Sequence, residues 1–242
     1  MSLSTTARRL LRPVKGTQVW DLDALARYYG TDKSSQDHDY ARIYERYFRR
    51  RRWGMRTVLE IGVGGTSSWD RYETTAGGQS LRMWARYFPR ASIIGVDIHE
   101  KNVARGRIVF ERGDQSDRAF LMRLIERYAP FDLVIDDGSH IGRHIRSSFE
   151  VLWDAVKPGG FYVIEDLSAA YHPRWEGGPP GTPNTGVALV KELVDSTLSR
   201  LGDKAFTPSL AAMHVYAELA ILQRAGSPQR WVAPREWDLQ EA

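Results

Sequence analysis

Residues 131–166 read FDLVIDDGSHIGRHIRSSFEVLWDAVKPGGFYVIED and set the architecture. An apolar strand, FDLVIDDGSH, is followed by the helical pattern HIRSSFEVLWDAV, a KPGG turn and a second apolar strand, FYVIEDL, which runs on to residue 167. Strands that are apolar nearly throughout are typical of a parallel sheet covered by helices on both faces. This stretch therefore predicts two neighbouring parallel strands joined by a crossover helix.

The same alternation extends in both directions along the chain. TVLEIGVGG, ASIIGVDI and RIVFERGD predict three earlier strands, while SLRMWARYF and DRAFLMRLIERY predict helices between and after them. KELVDSTLSRLG predicts a later helix, and MHVYAE and LAILQR predict two short antiparallel strands. We expect an α/β fold with a mostly parallel, doubly wound sheet and an antiparallel C-terminal strand.

Three segments are expected around this sheet. Residues 1–53 are predicted to form an N-terminal helical arm or lid, with one helix ending at Gly30 and another presenting aromatic residues at helical spacing. Residues 54–226 hold the sheet, and residues 227–242 form a tail. Within the sheet domain, the Gly- and Pro-rich segment 168–186 predicts a long loop of the kind that covers a binding site.

Composition excludes several classes of protein. The 242 residues contain no cysteine, which rules out disulfides, thiolate metal sites and a cysteine nucleophile. No secretory signal and no apolar run of about 20 residues is present, so we expect a cytoplasmic protein without a membrane partner. The net charge is +4, and arginines cluster at 8–12 and 49–52 without interleaved aromatic residues. This pattern favours a solvated or subunit-pairing surface, and hence a homo-oligomer, over nucleic-acid binding.

Polar residues at the predicted strand ends indicate a nucleoside-containing ligand. In a doubly wound sheet, ligands bind beyond the carboxyl ends of the strands. The first strand ends in a glycine run containing Gly62 and Gly64, where the backbone allows close approach. The second strand ends in Asp97, which could accept hydrogen bonds from ribose hydroxyls. The later strand ends supply Asp114, Gln115 and Asp136.

The spacing of the glycines favours a sulfonium cofactor over a dinucleotide. The run is G-x-G-G rather than G-x-G-x-x-G, and the next helix does not begin at once. The loop is thus not built to hold a pyrophosphate at a helix N-terminus, which S-adenosylmethionine does not require. A nicotinamide-dependent oxidoreductase remains the alternative enzyme, and an idle nucleic-acid-binding module the alternative outside enzymes.

Three carboxylates are predicted to meet at one rim of the sheet. Asp137 ends the fourth predicted strand, while Glu165 and Asp166 end the fifth, its expected neighbour about 4.8 Å away. Such carboxylates repel one another unless a cation joins them, and oxygen ligands suit Mg²⁺ or Mn²⁺. Adjacent residues of a strand face opposite ways, so both later acids can bind only if the chain turns at Asp166. The alternative is a helix cap with solvated acids.

His140 is the predicted general base. It lies three residues after Asp137, where a neutral imidazole could accept a proton beside a bound metal. His144 lies one helical turn further on, so the two histidines could instead form a zinc pair. Nearby carboxylates favour a harder ion and therefore the first interpretation.

Several motifs together resemble the sugar O-methyltransferases that tailor macrolides and other glycosylated natural products, the mycinamicin-type enzymes. The matching text is GTDK (30–33), LEIGVGG, GGQSLRMWARYFP, IIGVDI, GDQSD, FDLVIDDGSH and YVIED, spread over residues 28–167. The HVY strand near the C-terminus is also similar. Cephalosporin-tailoring enzymes share a similar core, so a non-sugar acceptor is the alternative within this chemistry.

The resemblance implies a Rossmann-like class I methyltransferase fold that uses S-adenosylmethionine and Mg²⁺. It implies the metal ligands Asp137, Glu165 and Asp166, with His140 as the base. It also implies cofactor contacts at Thr31, Glu60, Ser80, Asp97, Asp114 and Gln115. Some relatives carry a further N-terminal domain, which we expect this chain to lack.

The expected reaction is methyl transfer to a deoxysugar hydroxyl, either on a nucleotide-linked sugar or on a finished glycoside. Two neighbouring hydroxyls would chelate the metal, and the cation would lower the pKa of the one that is methylated. Tyr171, His172 and Trp175 in the Gly/Pro-rich loop are expected to close over the sugar.

Overall fold

One sheet of seven strands organises the residues that the computed structural model describes, which are 21–64, 76–198 and 209–226. The strand order is β3-β2-β1-β4-β5-β7-β6. The strands are β1 (Thr57–Ile61), β2 (Ser92–Asp97), β3 (Ile108–Arg112), β4 (Phe131–Asp136), β5 (Val156–Ile164), β6 (Leu210–Val215) and β7 (Ala220–Arg224).

The helices begin and end at residues that the sequence marks. They are α1 (Leu22–Tyr29), α2 (Tyr40–Phe48), α3 (Gln79–Tyr87), α4 (Arg118–Tyr128), α5 (Gly142–Leu152) and α6 (Gly186–Leu198). The carboxylate of Asp117 accepts from two backbone amides at the start of α4, and Gly30 ends α1 with a φ of 70°. Among the described residues, no helix combines the length and apolar character needed to cross a membrane.

The predicted α/β fold is confirmed. β1 pairs in parallel with β2 on one side and with β4 on the other, so the strand order reverses at β1. β4 and β5 are parallel neighbours, as expected from the crossover unit. β7 runs antiparallel to both β5 and β6. The carboxyl ends of β1, β4 and β5 therefore share one rim, where the predicted site residues follow the strands.

The predicted KPGG turn is wrong, because this segment lies within β5. The helix of the crossover ends at Leu152, and a 3₁₀ turn at Trp153–Ala155 precedes the strand. The register shifts near the start of the pair, where Phe131 opposes Val156 but Leu133 opposes Phe161. An irregular strand with extra residues accommodates the proline and glycines that sequence reasoning assigns to a turn.

Two apolar layers cover the sheet. Side chains of α1, α2 and α3, including Leu22, Tyr44 and Trp84, pack with one face of the strands. Side chains of α4, α5 and α6, such as Leu121 and Phe149, pack with the other face. The two N-terminal helices thus share a core with the sheet. The expected division at 1–53, 54–226 and 227–242 stays a prediction, since residues 1–20 and the tail lie outside the described residues.

Gly62, immediately after β1, marks a close contact between two backbones. Its φ is 89°, and a Cβ added there would lie 1.8 Å from the carbonyl oxygen of Asp137. The amide of Asp137 also donates to the carbonyl oxygen of Ile61 at 2.9 Å. Glycine at this position therefore lets the segment after β4 lie directly against the segment after β1.

Gly62→Ala is expected to lower the free energy of unfolding by about 3–5 kcal/mol, because a backbone atom must move in addition to the strain of a positive φ. Urea denaturation monitored by circular dichroism would measure the change.

Gly106→Ala is the matched control, because Gly106 has a φ of 61° and nothing within 4 Å of an added Cβ. This variant should lower the free energy of unfolding by only about 1–2 kcal/mol, the strain of an alanine in the left-handed backbone region. Equal losses for the two variants would show that the contact with Asp137 does not constrain the fold.

Candidate active site

The rim at the ends of β4 and β5 brings together three of the predicted residues. Asp137, His140 and Asp166 each offer one ligating atom, and these atoms all lie within 4.8 Å of one another. The Nε2 atom of His140 lies 3.6 Å from Oδ2 of Asp166. All three side chains are partly exposed, so a small ion and a substrate could reach them.

The chain turns sharply at Asp166, which meets the condition set by the sequence. β5 ends at Ile164, and the amide of Glu165 still donates to the carbonyl oxygen of Asp136 at 3.0 Å. Asp166 then has φ 55° and ψ 41°, and a 3₁₀ turn, Leu167–Tyr171, follows. The two adjacent carboxylates therefore need not face opposite sides of the sheet.

Lys33 occupies the centre of the carboxylate cluster. Its Nζ lies 2.7 Å from Oδ2 of Asp137 and 2.5 Å from Oε2 of Glu165. It also lies 3.6 Å from Oε1 of Glu60. Burial alone would lower the pKa of Lys33, but the surrounding carboxylates outweigh burial and raise it well above its ordinary value. The side chain is thus a buried ammonium ion.

Two tyrosines of α2 donate to the two successive acids after β5. The Tyr44 hydroxyl donates to Oε1 of the buried Glu165, and the Tyr40 hydroxyl donates to Oδ1 of Asp166 at 2.6 Å. Tyr40 and Tyr44 lie one helical turn apart and so point along the same face. Burial raises the pKa of Glu165 well above its usual value, Asp137 adds to this, and Lys33 opposes it.

Burial likewise raises the pKa of Asp137 to about 6, with Lys33 opposing the shift and Asp166 adding to it. The pKa of Glu60 rises to about 7, again mainly because the carboxyl is buried. These carboxyl groups gain solvation energy from any cation that joins them, so the rim favours cation binding.

A second polar group borders the rim. Nδ1 of His38 lies 3.0 Å from Oε2 of Glu218, and the Tyr40 hydroxyl lies 3.3 Å from the same oxygen. Glu218 is in the turn between β6 and β7, whose backbone also accepts from the amide of Leu167. The antiparallel end of the sheet thereby supplies one wall of the site.

The Gly/Pro-rich loop contributes aromatic rings on the other side. The Trp175 ring is centred 6.2 Å from that of His140, edge to face, and 5.0 Å from that of His172. Tyr171 is about half exposed and lines a separate cavity of about 280 Å³ with residues such as Thr182 and Lys191. The structure therefore places Trp175 beside the predicted base and in contact with His172, while Tyr171 lines the separate cavity.

His144 does not join His140 at the rim. Its Nδ1 lies 2.9 Å from the Ser139 hydroxyl, and its Nε2 lies 3.1 Å from a guanidinium nitrogen of Arg143. Burial lowers the pKa of His144, and the neighbouring Arg143 acts in the same direction. This arrangement gives no support to a zinc pair.

Short hydrogen bonds connect the predicted cofactor residues near the ends of β1 and β2 with their neighbours. The Ser80 hydroxyl donates to Oε2 of the buried Glu60 at 3.0 Å. The carboxylate of Asp97 accepts from the amides of Val63 and His99, at 3.1 and 2.8 Å. Asp97 thus ties the glycine-containing segment to the end of β2. Gly64, with a φ of 69°, is exposed beside this contact.

The remaining predicted cofactor residues are held by internal hydrogen bonds. Gln115 donates to Asp136 at 3.0 Å and accepts from the amide of Ser139 at 2.7 Å. Asp136 also accepts from the hydroxyl of Ser148. Asp114 accepts from both the amide and the hydroxyl of Ser116. Thr31 is buried, and its hydroxyl lies 3.3 Å from the carboxylate of Asp32.

Sequence reasoning missed the roles of Lys33, Tyr40, Tyr44 and Glu218. Lys33 stands within the GTDK motif, whose residue types alone indicate no chemistry for it. Both tyrosines fit the apolar face of a helix, which hides their hydroxyl groups. Glu218 ends a predicted strand and gives no signal by itself. The side-chain hydrogen-bond partners of Lys33 and the two tyrosines are more than 100 residues away, for example 121 residues between Tyr44 and Glu165.

Comparison with known proteins confirms the resemblance to sugar O-methyltransferases. The chain is 42% identical to the demethylmacrocin O-methyltransferase of Streptomyces fradiae, over 90% of this chain and 57% of that protein. It is 39% identical to the 8-demethyl-8-(2-methoxy-alpha-L-rhamnosyl)-tetracenomycin-C 3'-O-methyltransferase of Streptomyces olivaceus, over 90% of this chain and 58% of that protein. No protein-family model matches the chain.

A solved structure confirms the class I methyltransferase fold. The chain superposes with a TM-score of 0.78 on the MycE methyltransferase of the mycinamycin pathway, which was solved in complex with Mg, SAH and mycinamycin VI. Sequence identity is 40%, and the match covers 90% of this chain and 58% of that one. The chain thus spans less than two thirds of the length of these relatives.

Tyr44→Phe is expected to lower the free energy of unfolding by about 1–3 kcal/mol, because Oε1 of the buried Glu165 loses its donor. Urea denaturation at neutral pH, without added metal, would measure the loss.

Tyr47→Phe is the control on the same helix. The Tyr47 hydroxyl lies 2.7 Å from that of Tyr216, but the Tyr47 side chain is only partly buried. Loss of the Tyr47 hydroxyl should lower the free energy of unfolding by less than about 1 kcal/mol. A Tyr44→Phe variant as stable as the wild type would contradict the proposed dependence of Glu165 on this hydroxyl.

Proposed function

We propose that this chain transfers a methyl group from S-adenosylmethionine to a deoxysugar hydroxyl, in a reaction that requires Mg²⁺. The observation that carries the proposal is the convergence of Asp137, His140 and Asp166 within 4.8 Å at the carboxyl edge of the sheet. The acceptor would be a nucleotide-linked sugar or a glycoside in natural-product biosynthesis. The similarity to sugar O-methyltransferases supports this acceptor class, although the chain spans 57–58% of their length.

The residues at the rim fit a divalent metal. We propose Asp137, Glu165 and Asp166 as the ligands, because carboxylate oxygens suit Mg²⁺ and Mn²⁺. Asp137 and Asp166 are partly exposed beside each other, whereas both oxygens of Glu165 already accept hydrogen bonds from Lys33 and Tyr44. Each carboxylate oxygen has two lone pairs, so an oxygen that accepts one hydrogen bond can still bind an ion.

The segments after β1, β2 and β3 fit a nucleoside cofactor. We propose cofactor contacts at Thr31, Glu60, Gly62, Gly64, Ser80, Asp97, Asp114, Gln115 and Asp136. The exposed Gly64 beside Asp97 supports backbone approach at this place. Several of the other side chains are buried and already paired, so we expect them to shape the site as much as to contact the cofactor.

His140 is the residue proposed to move a proton. Its Nε2 faces the rim at 3.6 Å from Asp166, so this nitrogen would accept the proton of the acceptor hydroxyl. Bound S-adenosylmethionine would supply the methyl group, and bound Mg²⁺ would hold the two hydroxyls and acidify one of them. The Trp175 ring beside His140 would limit water access and orient the sugar.

The acceptor site would extend along the Gly/Pro-rich loop. We propose that Trp175 and His172 contact the sugar, and that Tyr171 contacts the part attached to it, since Tyr171 lines the adjoining cavity. A non-sugar acceptor is the alternative for the same chemistry. Assembly as a homo-oligomer and a location in the cytoplasm stay predictions.

Chelation should abolish methyl transfer. We expect a loss of at least about 100-fold with EDTA and recovery with Mg²⁺, because the cation contributes several kcal/mol to such reactions. The measurement is transfer of a labelled methyl group from S-adenosylmethionine to methyl α-L-rhamnoside and to rhamnosylated glycosides.

Calorimetry separates this reaction from that of a nicotinamide-dependent oxidoreductase. S-adenosylhomocysteine should bind and NADH should not. Full activity after thorough chelation would overturn the metal requirement, and binding of NADH alone would overturn the choice of cofactor.

His140→Gln is expected to lower kcat by about 100-fold or more with little change in cofactor affinity, because the proton acceptor is lost. His144→Gln is the matched control, since His144 lies one turn away and pairs with Ser139 and Arg143. It should change kcat by less than about 3-fold. Equal kcat values for the His140 variant and the wild type would refute the role of His140 as the proton acceptor.

A further inference from the structure

Lys33 lies where the cofactor side and the metal side of the site meet. Its Nζ contacts Glu60, after which the glycine run begins, and also Asp137 and Glu165 at the proposed metal rim. The side chain is 1% exposed. The proposed reaction assigns no task to this ammonium group, although burying a charge is costly unless several partners offset the cost.

The contacts of Lys33 hold one oxygen of each of two proposed ligands. The Lys33 ammonium donates a hydrogen bond to Oδ2 of Asp137, and no described residue donates to Oδ1 of the same carboxylate. Nζ and the Tyr44 hydroxyl together hold both oxygens of Glu165. An ion at the rim would therefore meet carboxylates whose orientation is already set, and it could bind Oδ1 of Asp137, which accepts no hydrogen bond from the described part of the chain.

The charges at the rim add up in a simple way. Asp137, Glu165 and Asp166 carry three negative charges when ionised, and Lys33 contributes one positive charge at 2.7 and 2.5 Å from two of them. These four groups together carry two negative charges, which one divalent cation would balance; Glu60, 3.6 Å from Nζ on the cofactor side, lies outside this count. Lys33 and Glu165 are buried, and Asp137 and Asp166 are only partly exposed, so solvent screens these charges less than at the surface and one unit of charge should matter for ion choice.

We propose that Lys33 is a positioning residue that orients Asp137 and Glu165 and adjusts the charge of the rim to a divalent ion, at the expense of trivalent ions. This inference rests on the metal site of the proposed function. It requires Lys33 to stay in place when the ion binds.

The ratio of trivalent to divalent affinity tests this role. If Lys33 stays beside the ion, its charge repels Tb³⁺ more than Mn²⁺, so neutralising Lys33 raises the Tb³⁺/Mn²⁺ affinity ratio. If an incoming ion displaces Lys33, both ions gain affinity equally and the ratio stays constant. If Lys33 only supports the fold, both ions lose affinity together and the ratio again stays constant.

The absence of cysteine from the chain allows a chemical comparison at this position. Lys33→Cys introduces a single thiol, which is alkylated in denaturant with 2-bromoethylamine to restore an ammonium of lysine length, or with iodoacetamide to give a neutral amide. Both forms are refolded identically and titrated with Mn²⁺ by electron paramagnetic resonance and with Tb³⁺ by luminescence. The neutral form should show a Tb³⁺/Mn²⁺ ratio at least about 10-fold higher than the ammonium form.

Three controls keep the outcomes distinct. If the neutral adduct fails to refold, Lys33→Met, purified without refolding, replaces it. This variant should show the same rise in the Tb³⁺/Mn²⁺ affinity ratio relative to the wild type. Lys157→Cys with the same two reagents should show no difference, since Lys157 pairs with Asp132 at the opposite edge of the sheet. Asp166→Asn should weaken Mn²⁺ binding in the wild-type background and so locate the ion at the rim.

Two results would overturn the inference about Lys33. Only the second would also overturn the proposed metal site. Normal Mn²⁺ binding with a ratio that changes less than 3-fold would refute the role of Lys33 and leave the metal site standing. Absence of Mn²⁺ binding by the wild type, or binding unaffected by Asp166→Asn, would refute the proposed metal site itself and the inference with it.

Discussion

The buried ammonium of Lys33 is the interaction on which the arrangement of the site depends. Glu60 and Glu165 are almost completely buried, and Asp137 lies beside them. Carboxylates at such close quarters would repel one another and lose solvation, and one central cation from the protein offsets both effects. The strand ends can therefore converge before any metal arrives. The sheet brings the carboxylates together, and the positive charge of Lys33 offsets their mutual repulsion.

This constraint explains why the N-terminal helices share the core of the sheet. Lys33 lies between α1 and α2, and the same α2 turns Tyr40 and Tyr44 toward the acids after β5. The apolar face of α2 anchors the helix, as Phe48 shows by stacking with Tyr44 and packing against Phe161. Hydrophobic packing thus holds the Tyr44 hydroxyl against the buried Glu165 and the Tyr40 hydroxyl against the partly exposed Asp166.

Local patterns predict most of the fold but only part of the candidate site. Apolar runs gave the strands, and their ends gave Asp137, His140 and Asp166, because parallel neighbours share an edge. The KPGG segment was misassigned because proline and glycine favour both turns and strand irregularities. The roles of Lys33 and Tyr44 were not predictable, since their partners lie 132 and 121 residues away and tyrosine at helical spacing resembles core. Long-range pairing of polar atoms leaves no periodic signal.

Gly62 belongs to the glycine run, but the structure gives a reason for this glycine other than the approach of a ligand. The glycine run predicts close approach of a ligand, yet at Gly62 the approaching group is the backbone of Asp137. The amide of Asp137 is bonded to β1 through Ile61, and the amide of Gly62 is bonded to β2 through Val96. The proposed cofactor segment and the first proposed metal ligand are therefore joined by main-chain contacts. On the proposed function, these main-chain contacts would fix how far the residues that hold the methyl donor lie from those that hold the metal, and side-chain motion could not relax that spacing.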